Sequence, residues 1–205
     1  MEFIRFFQSG GPFMYAILAI MALGLAITVD RFLYLNRTQK KAHRVWEKVS
    51  PMLRAEDYSR AAHALTEMTG PLAKILNYGF SRLQTNARRE SIESAMEEGV
   101  MEVVPEVEQR THYLATLANV ATLLGLLGTI IGLIQAFTAV AAADPSEKAE
   151  LLSASISVAM NTTAFGLCAA IPLLLLHSYL SAKTTKLVDS LETAAIKCLN
   201  LMARE

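Results

Sequence analysis

Apolar and charged positions alternate along the chain in long blocks. No Asp, Glu, Lys or Arg occurs from Phe6 to Val29, from Thr111 to Ala143, or from Leu151 to Ala182, stretches of 24, 33 and 32 residues. A membrane-crossing helix needs about 20 mostly apolar residues, so each stretch predicts one span. The expected class is an all-α, polytopic membrane protein with three transmembrane helices. The second and third stretches exceed what a bilayer requires. Thirty-three residues make about 50 Å of helix against about 30 Å of hydrocarbon. These two helices are therefore expected to be long and to extend into a helical bundle beneath the membrane.

Between the first two stretches the pattern changes to amphipathic helices divided by turn signals. Ser50-Pro51 reads as an N-cap with proline in the first turn, followed by Tyr58, Ala61, Ala62, Leu65 and Met68 at helical spacing. Gly70-Pro71 ends that helix and opens another with Leu72, Ile75, Leu76, Gly79 and Leu83 on its apolar side. A third stripe, Ile92, Met96, Val100, Val103 and Val107, is surrounded by seven glutamates from Glu90 to Glu108, which read as a solvated face. It continues toward the second stretch with Pro105 as the expected kink. The tail adds Leu187, Val188, Leu191, Ala195, Cys198 and Met202.

Charge sets the orientation. Residues 31 to 110 hold 13 of the 19 Lys and Arg residues and the tail from Lys183 holds four more. Lys and Arg collect on the cytoplasmic side. The expected layout is residues 1–11 periplasmic, 12–35 first span, 36–112 cytoplasmic, 113–142 second span, 143–150 periplasmic loop, 151–182 third span and 183–205 a cytoplasmic helix. A secretory signal is the alternative for the first stretch. The neutral residues before it, the basic segment after it and the lack of a small-residue cleavage site favour a retained anchor. Balanced charge, 19 acidic against 19 basic residues, argues against nucleic-acid binding, and the apolar blocks exclude an ordinary soluble enzyme.

The spans offer little titratable chemistry. His112 and His177 fall near cytoplasmic span ends and read as interfacial side chains rather than proton shuttles. Cys168 and Cys198 read as free thiols without a redox role, and no Cys/His grouping has metal spacing. The polar content consists of small residues. Thr122, Gly125, Thr129 and Gly132 share one helical face, and Gly128 and Gly132 form a GxxxG pair suited to close helix approach. The third span carries Asn161, Thr162 and Thr163, then Gly166 and Pro172. Three consecutive residues point about 100° apart, so they do not face one cavity. Simple packing explains any single Thr, because its hydroxyl bonds readily to a carbonyl one turn back. Asn161 has an amide that needs several partners in lipid. The expected helix-packing residues are Gly125, Gly128, Gly132, Gly166 and Pro172. The expected ion-path residues are Thr122, Thr129, Asn161, Thr162 and Thr163. A passive membrane scaffold shares the same packing features.

Leu114–Phe137, with its Leu-Gly-Thr-Ile-Ile-Gly core, resembles the second span of the ExbB/TolQ/MotA proton-channel family. Ile156–Pro172 is similar to the family's third-span signature, and Gly70-Pro71-Leu72-Ala73 to its cytoplasmic element. Three spans place the chain nearer to ExbB and TolQ than to MotA. The resemblance implies a homopentamer around a dimer of single-span ExbD/TolR-like partners, whose membrane aspartate carries the ion along threonines corresponding to Thr129 and Thr163. It also implies the bacterial inner membrane, work on TonB-type outer-membrane transport with a TonB-like protein as a further partner, and no cofactor. Tol-type and motility motors are the alternatives. Val158 stands where ExbB and TolQ carry a glutamate, and Thr122 where they usually carry proline. Protons are the expected ion. Sodium is the alternative, because Thr162 adds a hydroxyl beside Asn161 and Thr163, as in sodium-driven members.

Overall fold

The computed structural model describes residues 11–85 and 88–202. The expectations placed on residues 1–10 and 203–205 lie outside them. Six α-helices follow in order: α1 Phe13–Arg54, α2 Tyr58–Thr66, α3 Pro71–Leu83, α4 Arg89–Glu108, α5 Thr111–Ala142 and α6 Lys148–Met202. There is no strand among the described residues. Three helical segments are long and apolar enough to cross a membrane, beginning at Phe13, Arg89 and Lys148. The chain is a multi-pass, all-α membrane protein.

Two compact units arise from this order. The first, residues 1–29 and 110–179, is apolar on its outside as well as inside. Leu123, Leu126, Ile130, Ile134, Phe137, Ile171 and Leu175 are all exposed. A helix surface hydrophobic all round is what lipid selects. Inside, small side chains dominate, with Ala118, Ala121, Ala159, Ala169 and Ala170 buried alongside Met14, Ile17, Leu114 and Leu173.

The second unit, residues 30–109 and 180–205, has a water-type core. Leu35, Val45, Val49 and Leu53 of α1 are buried, as are Leu187, Leu191, Ala195 and Cys198 of α6. Burial pushes the Cys198 thiol up to about 12. Lys183 of α6 reaches Asn36 of α1 at 2.5 Å, and Arg89 of α4 reaches Asn200 of α6 at 2.7 Å. The α3–α4 pair is close because a Cβ at Gly99 would stand 3.1 Å from the Ile75 backbone.

The local signals were obeyed unevenly. Pro71 occupies the first turn of α3, with Gly70 before it at φ 130°, a conformation that favours glycine. Pro51 does not open a helix. It lies inside α1, in its last turn, and the turn falls at Ala55–Asp57, with Glu56 at φ 58°. The N-cap of α2 is Asp57, whose carboxylate accepts from the Arg60 N–H at 3.0 Å. A proline so near a helix end loses one backbone bond and leaves the rest of the ladder intact. Likewise, Pro105 sits within α4 and the interruption comes later. The Gln109 N–H bonds the Pro105 carbonyl at 3.1 Å, and Arg110 takes φ 65° before α5 begins.

The seven glutamates of α4 are all exposed, yet some are engaged. Lys74 of α3 pairs with Glu102 at 2.8 Å and Glu106 at 3.5 Å, and the Tyr78 hydroxyl donates to Glu102. These bonds hold the Glu102 carboxyl below its ordinary range, raise Lys74 through Glu102 and raise Tyr78 through the same carboxylate.

Candidate functional site

The candidate site is the seam between α5 and α6 in the apolar unit. The two helices are antiparallel and meet through small residues. A Cβ added at Gly132 would stand 2.9 Å from Ala159 Cβ, and one at Gly125 3.3 Å from Gly166 Cα. At Gly128 it would strike the Thr162 methyl and lie 3.1 Å from Thr162 Cβ. At Gly166 it would meet the Ala121 carbonyl at 2.9 Å. Such spacing brings two backbones together as only Gly and Ala permit. Dispersion then replaces the hydrophobic effect, which lipid does not supply between helices.

A side-chain bond crosses the seam. Thr163 Oγ1 donates to the Gly125 carbonyl at 2.9 Å. The other candidate hydroxyls bond within their own helices: Thr122 to Ala118 at 3.1 Å, Thr129 to Leu126 at 2.6 Å and Thr162 to Val158 at 3.0 Å. All four hydroxyl hydrogens are therefore committed to backbone carbonyls. Each oxygen retains acceptor lone pairs. The seam can accept from an O–H, such as a neutral carboxylic acid, or coordinate a cation. None of these four hydroxyls can donate to a carboxylate without first breaking its backbone bond.

The structure brings together Gly125, Gly128, Gly132, Gly166, Thr162 and Thr163. Thr162 is almost fully buried against Gly128, whereas Thr163, Asn161 and Thr129 are half-buried and Thr122 is exposed. Thr162 bonds within its own helix and Thr163 across the seam. Pro172 is exposed, off the seam. Its neighbour Leu173 does the packing, since a Cβ at Gly24 of α1 would stand 2.5 Å from Leu173 Cδ2. Val158 is half-buried, 3.9 Å from the Cβ position of Gly11. Gly24, Ala121 and Ala159 belong to the packing and went unread in the sequence. Their signal was the small-residue spacing itself, visible in Ala22, Gly24 and Ala26, but without a partner to assign.

The sequence profile of the MotA/TolQ/ExbB proton channel family matches residues 67–193, a range that contains the whole seam. The chain is 29% identical over 191 residues to a biopolymer transport protein ExbB homolog of Methanothermobacter thermautotrophicus, covering 92% of this chain and 66% of that protein. It is 35% identical over 80 residues to the Tol-Pal system protein TolQ of Haemophilus influenzae, covering 39% of this chain and 35% of that protein. A biopolymer transport ExbB-like protein of Synechocystis is 25% identical over 169 residues, 82% of this chain and 80% of that protein. The chain thus spans less than two thirds of the first two relatives.

Proposed function

The chain belongs to the MotA/TolQ/ExbB proton channel family, and from that premise we propose that it is the multi-spanning subunit of an ion-driven motor in the bacterial inner membrane. Five copies surround a dimer of single-span ExbD/TolR-like partners, with the amino terminus periplasmic and residues 36–112 and 183–205 cytoplasmic. Ion flow drives TonB-type outer-membrane transport.

The observation carrying this reading is a polar seam without a titratable group. No Asp, Glu, Lys or Arg lies in any of the three uncharged stretches, and Val158 occupies the place of the family glutamate. A proton path needs an ionisable group at membrane depth, so a second chain must bring it. An aspartate on a partner span supplies that group. In its protonated form it can donate to the acceptor oxygens of Thr129 and Thr163, and be held neutral while it crosses lipid depth. Thr122, Thr162 and Asn161 are the further polar residues of that path in this reading. Protons are the ion of this reading, and sodium, which takes several neutral oxygens, is its alternative.

The test is the native mass of the complex purified from membranes after co-expression with a single-span partner bearing a membrane aspartate. Five copies to two, with proton flux lost when that aspartate becomes asparagine, is the expected result. A monomer or dimer that leaves every such partner unbound would overturn the motor reading in favour of a scaffold.

A further inference from the structure

The polar unit carries two unmatched surfaces of opposite charge. One is a groove of about 650 Å³ between α4 and α6, floored by Met101, Val104, Ile196 and Leu199 and rimmed by Glu93, Glu97 and Glu192. Met101 is 74% and Ile196 60% exposed, a large apolar presentation for a unit with a water-type surface. The other is a stripe on α1: Arg37, Lys40, Arg44 and Lys48, all exposed and within about 80° of one another at 100° per residue. Among the described residues, none of these carboxylates or cations forms an ion pair with another side chain.

One copy cannot close the two surfaces on each other. The groove uses Glu192, Ala195, Ile196 and Leu199 of α6, whereas Asp189, Thr193 and Lys197 line the cleft that α6 forms with the basic helix. Those sets lie on different sides of α6. Their heights nevertheless agree. Asn36 is tied to Lys183 and Arg89 to Asn200. Counting along the helices from these ties, Glu97 lies level with residue 192 of α6 and residue 45 of α1. Glu93 lies level with residues 196 and 49. Each carboxylate is within one residue of the height of a cation, Arg44 or Lys48.

We propose that the acidic, apolar groove between α4 and α6 receives the basic stripe of α1 from a neighbouring copy of this chain. This rests on the ring reading above and names the surface that builds it. The contact is heterologous, groove to stripe, and such contacts close into a ring when the rotation permits. A membrane holds the copies at one height, the condition under which the charges meet. The apolar floor supplies attraction and the charges fix register. Anionic lipid does not account for the part of the stripe that the groove meets. Arg44 and Lys48 lie roughly 13 and 20 Å along the helix beyond residue 35, more than a Debye length of about 8 Å.

The experiment uses the full chain in membranes, with Glu97→Cys and Arg44→Cys together on a Cys168→Ala background. Cys198 stays, since its buried thiol is unreactive. Glu93 and Lys48 remain to hold register. A short bis-maleimide should link copies into a ladder running from two to the complete ring, and neither single variant should do so. Absence of the ladder, while the native mass equals that of the parent, would overturn the groove-to-stripe contact and leave the ring standing. Linkage only to the single-span partner would overturn it too. A monomeric parent would remove the ring reading itself.

Discussion

The Thr163 hydroxyl of α6 donates to the Gly125 carbonyl of α5 at 2.9 Å, at the point where a Cβ on Gly125 would touch Thr163 Cα at 3.3 Å. The bond exists because a glycine lets the backbones approach that closely. A hydrogen bond between helices in a membrane contributes about 0.6 kcal/mol on average and at most about 1.7 kcal/mol. Thr163→Val keeps the shape and removes the hydroxyl. It should lower thermal stability by no more than that and leave the complex assembled, yet abolish ion-dependent work. Thr163→Ser should keep both. Thermal melts beside a proton-flux assay separate the effects, and full flux in the valine variant would dismiss Thr163 from the path.

Gly128 and Gly166 should answer differently to an added methyl. At Gly128 the obstacle is the Thr162 side chain, held in place because β-branched residues are stiff in helices. Gly128→Ala should cost about 1–3 kcal/mol as overpacking, and Thr162→Ser, which deletes the obstructing methyl, should recover part of the loss. At Gly166 the obstacle is the Ala121 carbonyl and the Gly125 backbone, so no single side-chain truncation should rescue Gly166→Ala. Melting temperatures of the single and paired variants decide this. Equal rescue at both sites would show that the seam is looser than its geometry.

The α3–α4 pair should respond to acid. Glu102 is held below its ordinary value of 4.5 by Lys74 and then Tyr78. A carboxyl depressed in the folded state contributes stability above its unfolded pKa and loses it as pH falls through the folded value. Protection against hydrogen exchange in α3 and α4, taken relative to the intrinsic rate at each pH, should be constant from neutrality to about pH 5 and should fall below the ordinary 4.5. Glu102→Gln should remove most of that change. An identical acid response in the glutamine variant would place the sensitive group elsewhere.

Cys198 should resist alkylation in the folded protein. With its thiol pushed up to about 12 by burial, almost none is thiolate at pH 8. Thiolate is the reactive form. Labelling by iodoacetamide should appear only when α6 opens, in step with the global melt. Prompt labelling below the melt would mean that the α6 tail is not packed as described.

Much of this was legible in the residues. The three uncharged stretches marked the spans, Gly70-Pro71 marked the start of α3, and the stripes at Ile75, Leu76, Val103 and Leu191 marked core positions that are buried. What failed were signals whose meaning depends on distance. Pro51 reads the same in a first or a last turn, and only the packing of Val49 and Leu53 shows that α1 continues through it. Arg110 at φ 65° carries no sequence signal, since that conformation is ordinarily marked by Gly or Asn. The glycines of α5 were visible at their spacing. Which residues of α6 they touch depends on antiparallel register, which composition does not encode. The glutamates of α4 read as a solvated face and all seven are exposed, but the pattern did not tell which of them, Glu102 and Glu106, meet Lys74.

The interruption at Gln109–Arg110 has a mechanical consequence. In α1 and α6 the hydrogen-bond ladder passes unbroken through residues 29–30 and 179–180, where the two units divide. The third crossing has no such continuity, because the ladder of α4 ends at Gln109 and that of α5 starts afresh beyond an Arg at φ 65°. The orientation of α5, the helix bearing Gly125, Gly128 and Thr129, is therefore set by its seam with α6 and not by the hydrogen-bond ladder of α4.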